Sequence, residues 1–286
     1  MKAFMKTLVI INLLLVWMLS SGCATKHAVL ISANDVTIDD VAYHSVWWYD
    51  LFQQYQMLRE NGFKDKNIHV LFGDGADFNT AHSEYNSTTQ YGHAITDMAA
   101  NKTNVEAVFN NIKDNVKSRD FLYVWWMGHG FGSGSDYCNL TMDLSHTGED
   151  VTDVEFANYM SVIASYRKRS VNIMTCHAGG MLDNFGTAGN KTVTLTSSTC
   201  AASSYEAYGS AICDGRNRAE FNMTFTDALR EQDACGTAVA SDTSGNNYVS
   251  LTEAHQYNQA NMVTSTPQIM DPDSLAANTH IRKCKP

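Results

Sequence analysis

Residues 121–130 read Phe-Leu-Tyr-Val-Trp-Trp-Met-Gly-His-Gly, an apolar run that ends in a histidine flanked by two glycines. A second run, residues 170–175 (Ser-Val-Asn-Ile-Met-Thr), leads directly into Cys-His-Ala-Gly-Gly at residues 176–180. Such runs are typical of strands that are buried on both faces of a parallel sheet. The sequence therefore predicts two buried strands, one ending at His129 and the other at Cys176.

Further apolar runs and helical segments surround these two strands. Additional strands are predicted at residues 27–33, 67–72 and 192–196. Helices are predicted at 43–61, 103–116, 152–166, 222–231 and 251–260, and the polar, aperiodic stretch 76–101 is predicted to be a long surface loop. Strands that alternate with helices predict an α/β fold with a mostly parallel sheet and helices on both faces.

Two of the predicted helices start with a capping box, a Ser or Thr followed three residues later by Glu. Thr103 and Glu106 form the first pair, and Thr152 and Glu155 form the second. In this motif each side chain hydrogen-bonds the other residue's backbone N–H. We therefore expect helix starts at both positions.

The ends of the two strands carry the residue types of a cysteine peptidase. In open parallel sheets, ligand sites lie at the carboxyl ends of the strands. A free thiol titrates near pH 8.5, so a neighbouring imidazole is needed to raise its thiolate fraction at neutral pH. We predict Cys176 as the nucleophile and His129 as the general base and acid. The backbone N–H groups of Gly130 and Cys176 would form the oxyanion hole.

Competing interpretations of these motifs are weaker. Taken alone, a glycine-flanked His is typical of a loop, and a Cys after a strand is typical of plain packing. His177 is adjacent to Cys176, so the two side chains should point apart. Residues 128–134 are glycine-rich but lack both the GxGxxG spacing and the Gly-Lys-Ser/Thr ending of nucleotide-binding loops.

The combined pattern, strand–Gly-His-Gly followed by strand–Cys-x-x-Gly, resembles the caspase-like superfamily of cysteine peptidases. Within it the chain is similar to the legumain family, which also contains the catalytic subunit of the glycosylphosphatidylinositol transamidase. The resemblance covers most of residues 27–286 and includes Ser-Ser-Tyr at 203–205. It implies a three-layer caspase-like fold, cleavage of peptide bonds through an acyl-thioester, and no required cofactor.

The resemblance also implies roles for further residues. An Asn just after the first strand orients the catalytic His in that family, and Asn34 occupies this position. Substrate-pocket positions fall on His44, Ser203, Ser204 and Glu220.

Two departures from the family pattern affect the predicted substrate pocket. Legumains carry an Arg-His pair where this chain has Tyr43-His44, and an acid where it has Met174. These departures predict a weak or altered preference at P1, the substrate residue on the acyl side of the cleaved bond.

The N-terminus has the layout of a secretory signal peptide over residues 1–22. Two lysines precede an apolar run at 8–19, and small residues fill positions 20–22. Cys23 then offers a bacterial lipoprotein site, with an ordinary secretory signal as the alternative. A retained membrane helix is disfavoured, because a span needs about 20 apolar residues. We expect an exported protein, either a periplasmic or cell-surface lipoprotein or a secreted one, with one domain over residues 23–286.

Charge and cysteine content restrict the partners. The formal net charge of −10 argues against nucleic acid or anionic lipid as a partner. Contact with membranes is therefore expected only through a lipid on Cys23. No cysteine cluster has zinc-site spacing. The chain has 7 cysteines, whose pairing the sequence leaves open.

Residues 242–253 (Asp-Thr-Ser-Gly-Asn-Asn-Tyr-Val-Ser-Leu-Thr-Glu) place oxygen ligands at spacings of an EF-hand-type calcium loop. The candidate calcium ligands are Asp242, Ser244, Asn246, Tyr248 and Glu253. With only two carboxylates, calcium binding would be weak. The competing interpretation is a polar turn that caps the following helix.

Taken together, the sequence predicts an exported cysteine endopeptidase that acts on peptide or protein substrates. A transpeptidase or transamidase that uses the same Cys-His dyad is the alternative within this chemistry. A non-catalytic surface lipoprotein on the same fold is the alternative from a different functional class.

Overall fold

The computed structural model describes residues 24–41, 44–133, 136–207 and 213–282. The predicted signal peptide at 1–22, together with Cys23, Tyr43 and Cys284, therefore lies outside the described residues. Within the described ranges, no helix combines the length and the apolar character needed to cross a bilayer.

Nine strands form two sheets in the described part of the chain. They are β1 Lys26–Ser32, β2 Ile68–Phe72, β3 Phe121–Met127, β4 Gly130–Ser133, β5 Asp136–Leu144, β6 Glu149–Thr152, β7 Lys168–Met174, β8 Thr192–Thr196 and β9 Gln268–Met270. The main sheet has the order β2-β1-β3-β7-β8-β9. Its first five strands are parallel and β9 pairs antiparallel with β8. The smaller sheet is the antiparallel meander β4-β5-β6.

Six α-helices pack around the main sheet in the residues that the structure describes. They are α1 Val46–Glu60, α2 Ser87–Tyr91, α3 Lys102–Ile112, α4 Asp153–Ser161, α5 Glu220–Arg230 and α6 Leu251–Asn261. Short 3₁₀ turns cover residues 65–67, 83–85, 178–181, 183–185 and 276–278.

The main sheet separates two hydrophobic clusters, as expected for strands that are buried on both faces. Alternate residues of β1 enter different clusters: Leu30 packs with α1, α5 and α6, and Ile31 packs with α3 and α4. β3 divides in the same way, with Trp125 on the first face and Trp126 on the second. Helices therefore cover both faces, and the predicted α/β fold with a mostly parallel sheet is confirmed.

All five predicted strands of the main sheet are present, with ends displaced by at most two residues. The capping box at Thr152 is confirmed, because Thr152 and Glu155 hydrogen-bond each other's backbone N–H. The box at Thr103 is wrong. Instead, Asn101 caps α3 by accepting a hydrogen bond from Asn104 N, so the helix begins before Thr103.

Three elements were not expected from the sequence. The β4-β5-β6 meander directly follows His129, β9 closes the main sheet, and α2 adds a short helix within the predicted loop 76–101. The short strands β4, β6 and β9 carry no long apolar run, so hydrophobic periodicity could not indicate them.

An aromatic cluster joins α3 and α4 to the central strand β3. The Phe156 ring lies 5.8 Å from Phe109 and 5.1 Å from Trp126 between ring centroids, with edge-to-face geometry in both pairs. All three side chains are fully buried. Close-packed aromatic pairs of this geometry add to the free energy of burying the rings.

We expect Phe156→Ala to lower the free energy of unfolding by about 3–5 kcal/mol, because it removes a buried ring and leaves a cavity. Val154→Ala is the matched control on the same helix, since Val154 is 56% exposed. The control should change stability by no more than about 0.5 kcal/mol. Urea unfolding followed by tryptophan fluorescence measures both. Equal effects of the two substitutions would contradict this packing.

Candidate active site

His129 and Cys176 lie at the same level of two neighbouring parallel strands. The register pairs Met127 of β3 with Met174 of β7, and each candidate catalytic residue follows two positions later. Gly128 N donates a hydrogen bond to Met174 O at 3.1 Å, so the two chains stay paired beyond the strand ends. Adjacent strands lie about 4.8 Å apart. His129 and Cys176 both line one pocket of about 100 Å³.

The backbone of Gly130 lies against Thr175 and Cys176. A Cβ at this position would lie 2.2 Å from Thr175 Oγ1 and 2.3 Å from Cys176 O, so a side chain cannot be accommodated without rearrangement. This contact explains why glycine follows the histidine here.

The N–H groups of Gly130 and Cys176, the predicted oxyanion donors, differ in how their surroundings are arranged. Asp143 N donates to His129 O, next to the Gly130–Met142 register pair. Hydrogen-bonded positions alternate along an antiparallel ladder, so Gly130 and Met142 form a non-hydrogen-bonded pair and the Gly130 N–H points away from β5. The Cys176 N–H has no acceptor among the described residues. The oxyanion hole at Gly130 and Cys176 stays a prediction.

Cys176 is the one free cysteine in the described part of the chain. Disulfides join Cys138 to Cys200 and Cys213 to Cys235, pairings that the sequence left open. The half-buried Cys176 thiol contacts the Ser204 backbone, with Sγ 3.4 Å from Ser204 N and 3.7 Å from Ser204 O. Among the described residues, no hydrogen bond joins His129 to Cys176.

The turn that contains Cys176 is hydrogen-bonded to the loop that follows β8. Ser197 Oγ and Ser198 Oγ both donate to Thr175 O at 3.1 Å, and the same Ser197 Oγ accepts from Thr175 N. Ser198 Oγ also accepts from Ala178 N. These buried hydrogen bonds fix the backbone on both sides of Cys176.

The Cys138–Cys200 disulfide adds a covalent connection between this loop and β5. Gly179 and Gly180, which follow Cys176 closely in the chain, lie against the backbone of these two disulfide-linked segments. A Cβ at Gly179 would lie 2.4 Å from Cys200 N, and one at Gly180 would lie 2.6 Å from Cys138 O. The Gly-Gly sequence is therefore required by the close approach of three chain segments.

Trp47 contacts the candidate catalytic histidine, and sequence reasoning did not find it. The ring centroids of Trp47 and His129 are 5.1 Å apart in an edge-to-face arrangement. Trp47 is held near the start of α1, where its carbonyl accepts a hydrogen bond from Ser32 Oγ. This contact orients the exposed imidazole at the pocket rim.

Asn34 does not hydrogen-bond the His129 ring, so the expected orienting contact is not formed. Its side chain is buried against Gly73 at the end of β2, where a Cβ on that glycine would lie 3.3 Å from Asn34 Nδ2 and Oδ1. Asn34 Oδ1 has no hydrogen-bond partner in the described residues. β2 and β3 flank β1 on opposite sides, which separates Gly73 from His129.

The predicted pocket residues divide into two groups. Ser204 lines the pocket, and its buried hydroxyl oxygen has no hydrogen-bond partner among the described residues. Ser203 and His44 are not among the lining residues, and His44 Nδ1 lies 3.0 Å from Asp39 Oδ1.

Glu220 is not at the pocket surface. Its carboxylate is buried and accepts hydrogen bonds from the backbone N–H groups of Val263, Thr264 and Ser265. The expectation of a pocket acid at Glu220 is therefore wrong, because these hydrogen bonds commit the carboxylate to holding the 263–265 loop.

Glu206 is an acid that lines the pocket but was not identified from the sequence. It is half-buried, and one carboxylate oxygen accepts a hydrogen bond from Asn217 Nδ2 at 3.0 Å. Burial raises the pKa of this carboxyl, and the Asn217 hydrogen bond opposes the increase. Its position two residues after Ser204 was the available sequence signal.

The side chain of His177 has its contacts outside the pocket. Its Nδ1 lies 2.8 Å from Cys200 O, and its backbone has a left-handed φ of 59°. It does not line the pocket that contains His129 and Cys176.

The loop 242–253 does not fit a calcium site, because its carboxylates are turned onto their own backbone. Asp242 accepts hydrogen bonds from the N–H groups of residues 245–247 and from Ser244 Oγ. Asn246 Oδ1 accepts from Tyr248 N. Glu253 accepts from Ser244 N and completes a capping box with Ser250. The competing interpretation, a turn that caps α6, accounts for every one of these contacts.

Comparison with known proteins gives no family assignment for this chain. No protein-family model matches the sequence, and no curated protein matches it significantly. The legumain resemblance therefore depends on the motifs and their placement at the strand ends.

We expect Glu253→Gln to destabilise the protein by about 1 kcal/mol at pH 7, through loss of a charged capping group. Burial raises the pKa of Glu253, but hydrogen bonds from Ser250 and Ser244 outweigh it and lower the pKa from 4.5 to about 2. Since the folded-state pKa is depressed, this stabilisation is present above pH 4.5 and is lost as the pH falls towards 2. The difference between wild type and variant should therefore shrink over that interval.

Chemical unfolding at several pH values, with and without millimolar calcium, provides the measurement. Glu106→Gln is the matched control, since Glu106 is exposed on α3. A calcium-dependent rise in melting temperature that is lost in Glu253→Gln would instead support a calcium site.

Proposed function

We propose that this protein is an exported cysteine endopeptidase of the legumain type, within the caspase-like superfamily. The observation that carries the proposal is the convergence of His129 and Cys176 on one pocket, at the same level of two adjacent parallel strands. Two backbone N–H groups without acceptors lie beside them. The three-layer α/β architecture and the chain order, His before Cys, agree with this family.

In the acylation step, His129 accepts the proton of Cys176 and the thiolate attacks the carbonyl carbon of the scissile peptide bond. To do so, the thiol exchanges its present contacts with the Ser204 backbone for the imidazole. The carbonyl oxygen becomes negatively charged, and the N–H groups of Gly130 and Cys176 stabilise it. When the carbon–nitrogen bond breaks, the His129 imidazolium protonates the leaving amine.

The deacylation step restores the enzyme. His129 removes a proton from water, whose oxygen attacks the thioester carbon, and the carbon–sulfur bond then breaks. The acid product leaves and the Cys176 sulfur regains a proton from His129. An amine that replaces water at this step would give a new amide, which is the transpeptidase or transamidase alternative.

Export is the second part of the proposal. Its support is the arrangement of residues 1–22 and the two disulfides in the described chain, since disulfides persist in oxidising compartments. Cys23 is the proposed lipidation site, with secretion as the alternative.

We expect Cys176→Ala and His129→Ala to lower kcat/KM for peptide hydrolysis by about 10⁴-fold or more, because each removes a reacting group. Both substitutions lie beyond the strand ends and should leave the circular dichroism spectrum unchanged. His146→Ala is the matched control, since His146 is exposed in the turn between β5 and β6. Activity above a few per cent of wild type in either dyad variant would contradict the proposal.

Alkylation separates the enzyme from a non-catalytic surface protein on the same fold. Iodoacetamide should label Cys176 selectively, and His129→Ala should slow the labelling because the imidazole raises the thiolate fraction. Absence of selective labelling would favour the non-catalytic protein. Product analysis with an added peptide amine identifies transpeptidation.

If Cys23 is lipidated, Cys23→Ser should move the protein from the membrane fraction to the soluble fraction. A single acyl chain binds membranes only marginally, so stable attachment requires more than one chain. Mass spectrometry of the mature N-terminus gives the direct measurement. A mature start at Ala24 or later would contradict the lipoprotein assignment.

A further inference from the structure

Glu206 lies two residues after Ser204, whose backbone contacts the Cys176 thiol. The segment carrying it runs antiparallel to the start of α5, with a bridge between Glu206 and Ala219. Side chains two residues apart on an extended chain point to the same side, separated by roughly 6.6 Å. Ser204 and Glu206 are related in this way, and they line the pocket that contains Cys176 together with Tyr205. The Glu206 carboxyl and the Cys176 thiol therefore belong to one pocket.

No protein cation among the described residues neutralises this carboxylate. One of its oxygens accepts from Asn217 Nδ2, and the other has no hydrogen-bond partner in the same part of the chain. The neighbouring Arg218 is directed elsewhere: its Nη2 lies 2.7 Å from Asp214 Oδ2 and its Nε lies 3.9 Å from Asp50 Oδ1. Arg218 is thus shared between two acids and is itself buried.

Buried Asp50 lies close enough to Glu206 for the two charges to interact. Burial raises the pKa of Asp50 to about 7, the Arg218 charge opposes the increase, and the Glu206 charge adds to it. Asp50 is therefore only partly ionised at neutral pH, whereas Glu206 is the acidic residue that lines the pocket. A positively charged ligand in the pocket would supply the counter-charge that Glu206 lacks.

The rest of the pocket wall is largely apolar. Its apolar side chains are those of Val46, Trp47, Met127, Met174 and Ala219, and Thr175 and Tyr205 add polar groups to the wall. No Lys or Arg side chain is among the described lining residues. Apolar walls with a carboxylate beyond them suit a side chain with a methylene stem and a cationic head, because lysine and arginine bury their stems while the head finds a polar partner.

We propose that Glu206 is a specificity-determining residue that selects lysine or arginine at P1 of the peptide substrate. The inference depends on the proposed function, because it assigns the substrate class of that same site. Acidic P1 residues are excluded by repulsion from Glu206. Asparagine is disfavoured because its shorter, uncharged side chain leaves the carboxylate without a counter-charge.

Fluorogenic peptides that differ only at P1 give the first test. The P1 residues are lysine, arginine, norleucine, glutamine, asparagine and aspartate. Wild type should cleave the lysine and arginine peptides at least about tenfold better than the norleucine peptide, in terms of kcat/KM. Glu206→Gln should lose about 10- to 100-fold on the basic peptides, as expected for a charge-assisted contact. Its activity on norleucine should stay within about twofold of wild type.

Glu106→Gln is the control, because it makes the same chemical change on the exposed side of α3. It should retain the preference for basic residues. Glu206→Lys should reverse the preference towards aspartate, which a merely structural role of Glu206 would not produce.

A second test does not require turnover. Chloromethyl ketones of lysine and norleucine alkylate a nucleophilic cysteine: the sulfur bonds the methylene carbon and chloride leaves. Mass spectrometry of Cys176 should show faster alkylation by the lysine reagent, and Glu206→Gln should remove the difference.

Equal rates for the two reagents, or a basic preference that survives in Glu206→Gln, would overturn the inference about Glu206. Cleavage of the peptides through Cys176 would in that case leave the proposed function standing. If no peptide is cleaved and Cys176 shows no selective reactivity, the proposed function and the inference about Glu206 are both contradicted.

Discussion

The parallel pairing of β3 with β7 fixes the relative height of His129 and Cys176. Seven residue pairs, from Phe121–Lys168 to Met127–Met174, hold the two strands in register. A shift by one residue would turn the side chains of one strand to the opposite face. Because both faces are packed with large side chains such as Trp125 and Trp126, such a shift would disrupt both hydrophobic clusters. The packing of the core therefore determines the relative positions of the two residues of the proposed dyad.

Backbone segments are closely packed around the candidate site at the ends of β3 and β7. Gly130, Gly179 and Gly180 each lie where a Cβ would fall within 2.6 Å of another chain segment. Within this crowded backbone the Cys176 N–H has no acceptor in the described part of the protein, and the register of β4 with β5 turns the Gly130 N–H away from β5. The Cys138–Cys200 disulfide ties together two of the segments that approach there. Such preorganised donors require little rearrangement when charge develops on a substrate oxygen.

Two acidic residues near the pocket, Glu220 and Glu206, differ in the hydrogen bonds that their carboxylates accept. Glu220 is fully used by three backbone N–H groups, which connect α5 to the 263–265 loop. Ser265 Oγ in turn accepts from Tyr205 N, next to Glu206. Glu220 thus supports the pocket indirectly, while Glu206 keeps one oxygen without a partner among the described residues. Residue type alone could not separate the two roles.

Local sequence determined the buried strands, the α/β class and the positions of the two candidate catalytic residues that follow β3 and β7. It did so because an apolar run signals burial directly, and because parallel strands present their carboxyl ends at one edge. Tertiary structure decided which partners those residues meet. The Trp47–His129 contact, the placement of Asn34 against Gly73 and the hydrogen bonds from residues 263–265 to Glu220 all join segments that are far apart in the chain. Only the folded chain brings such segments together, since hydrogen bonding and burial depend on three-dimensional neighbours and not on sequence spacing.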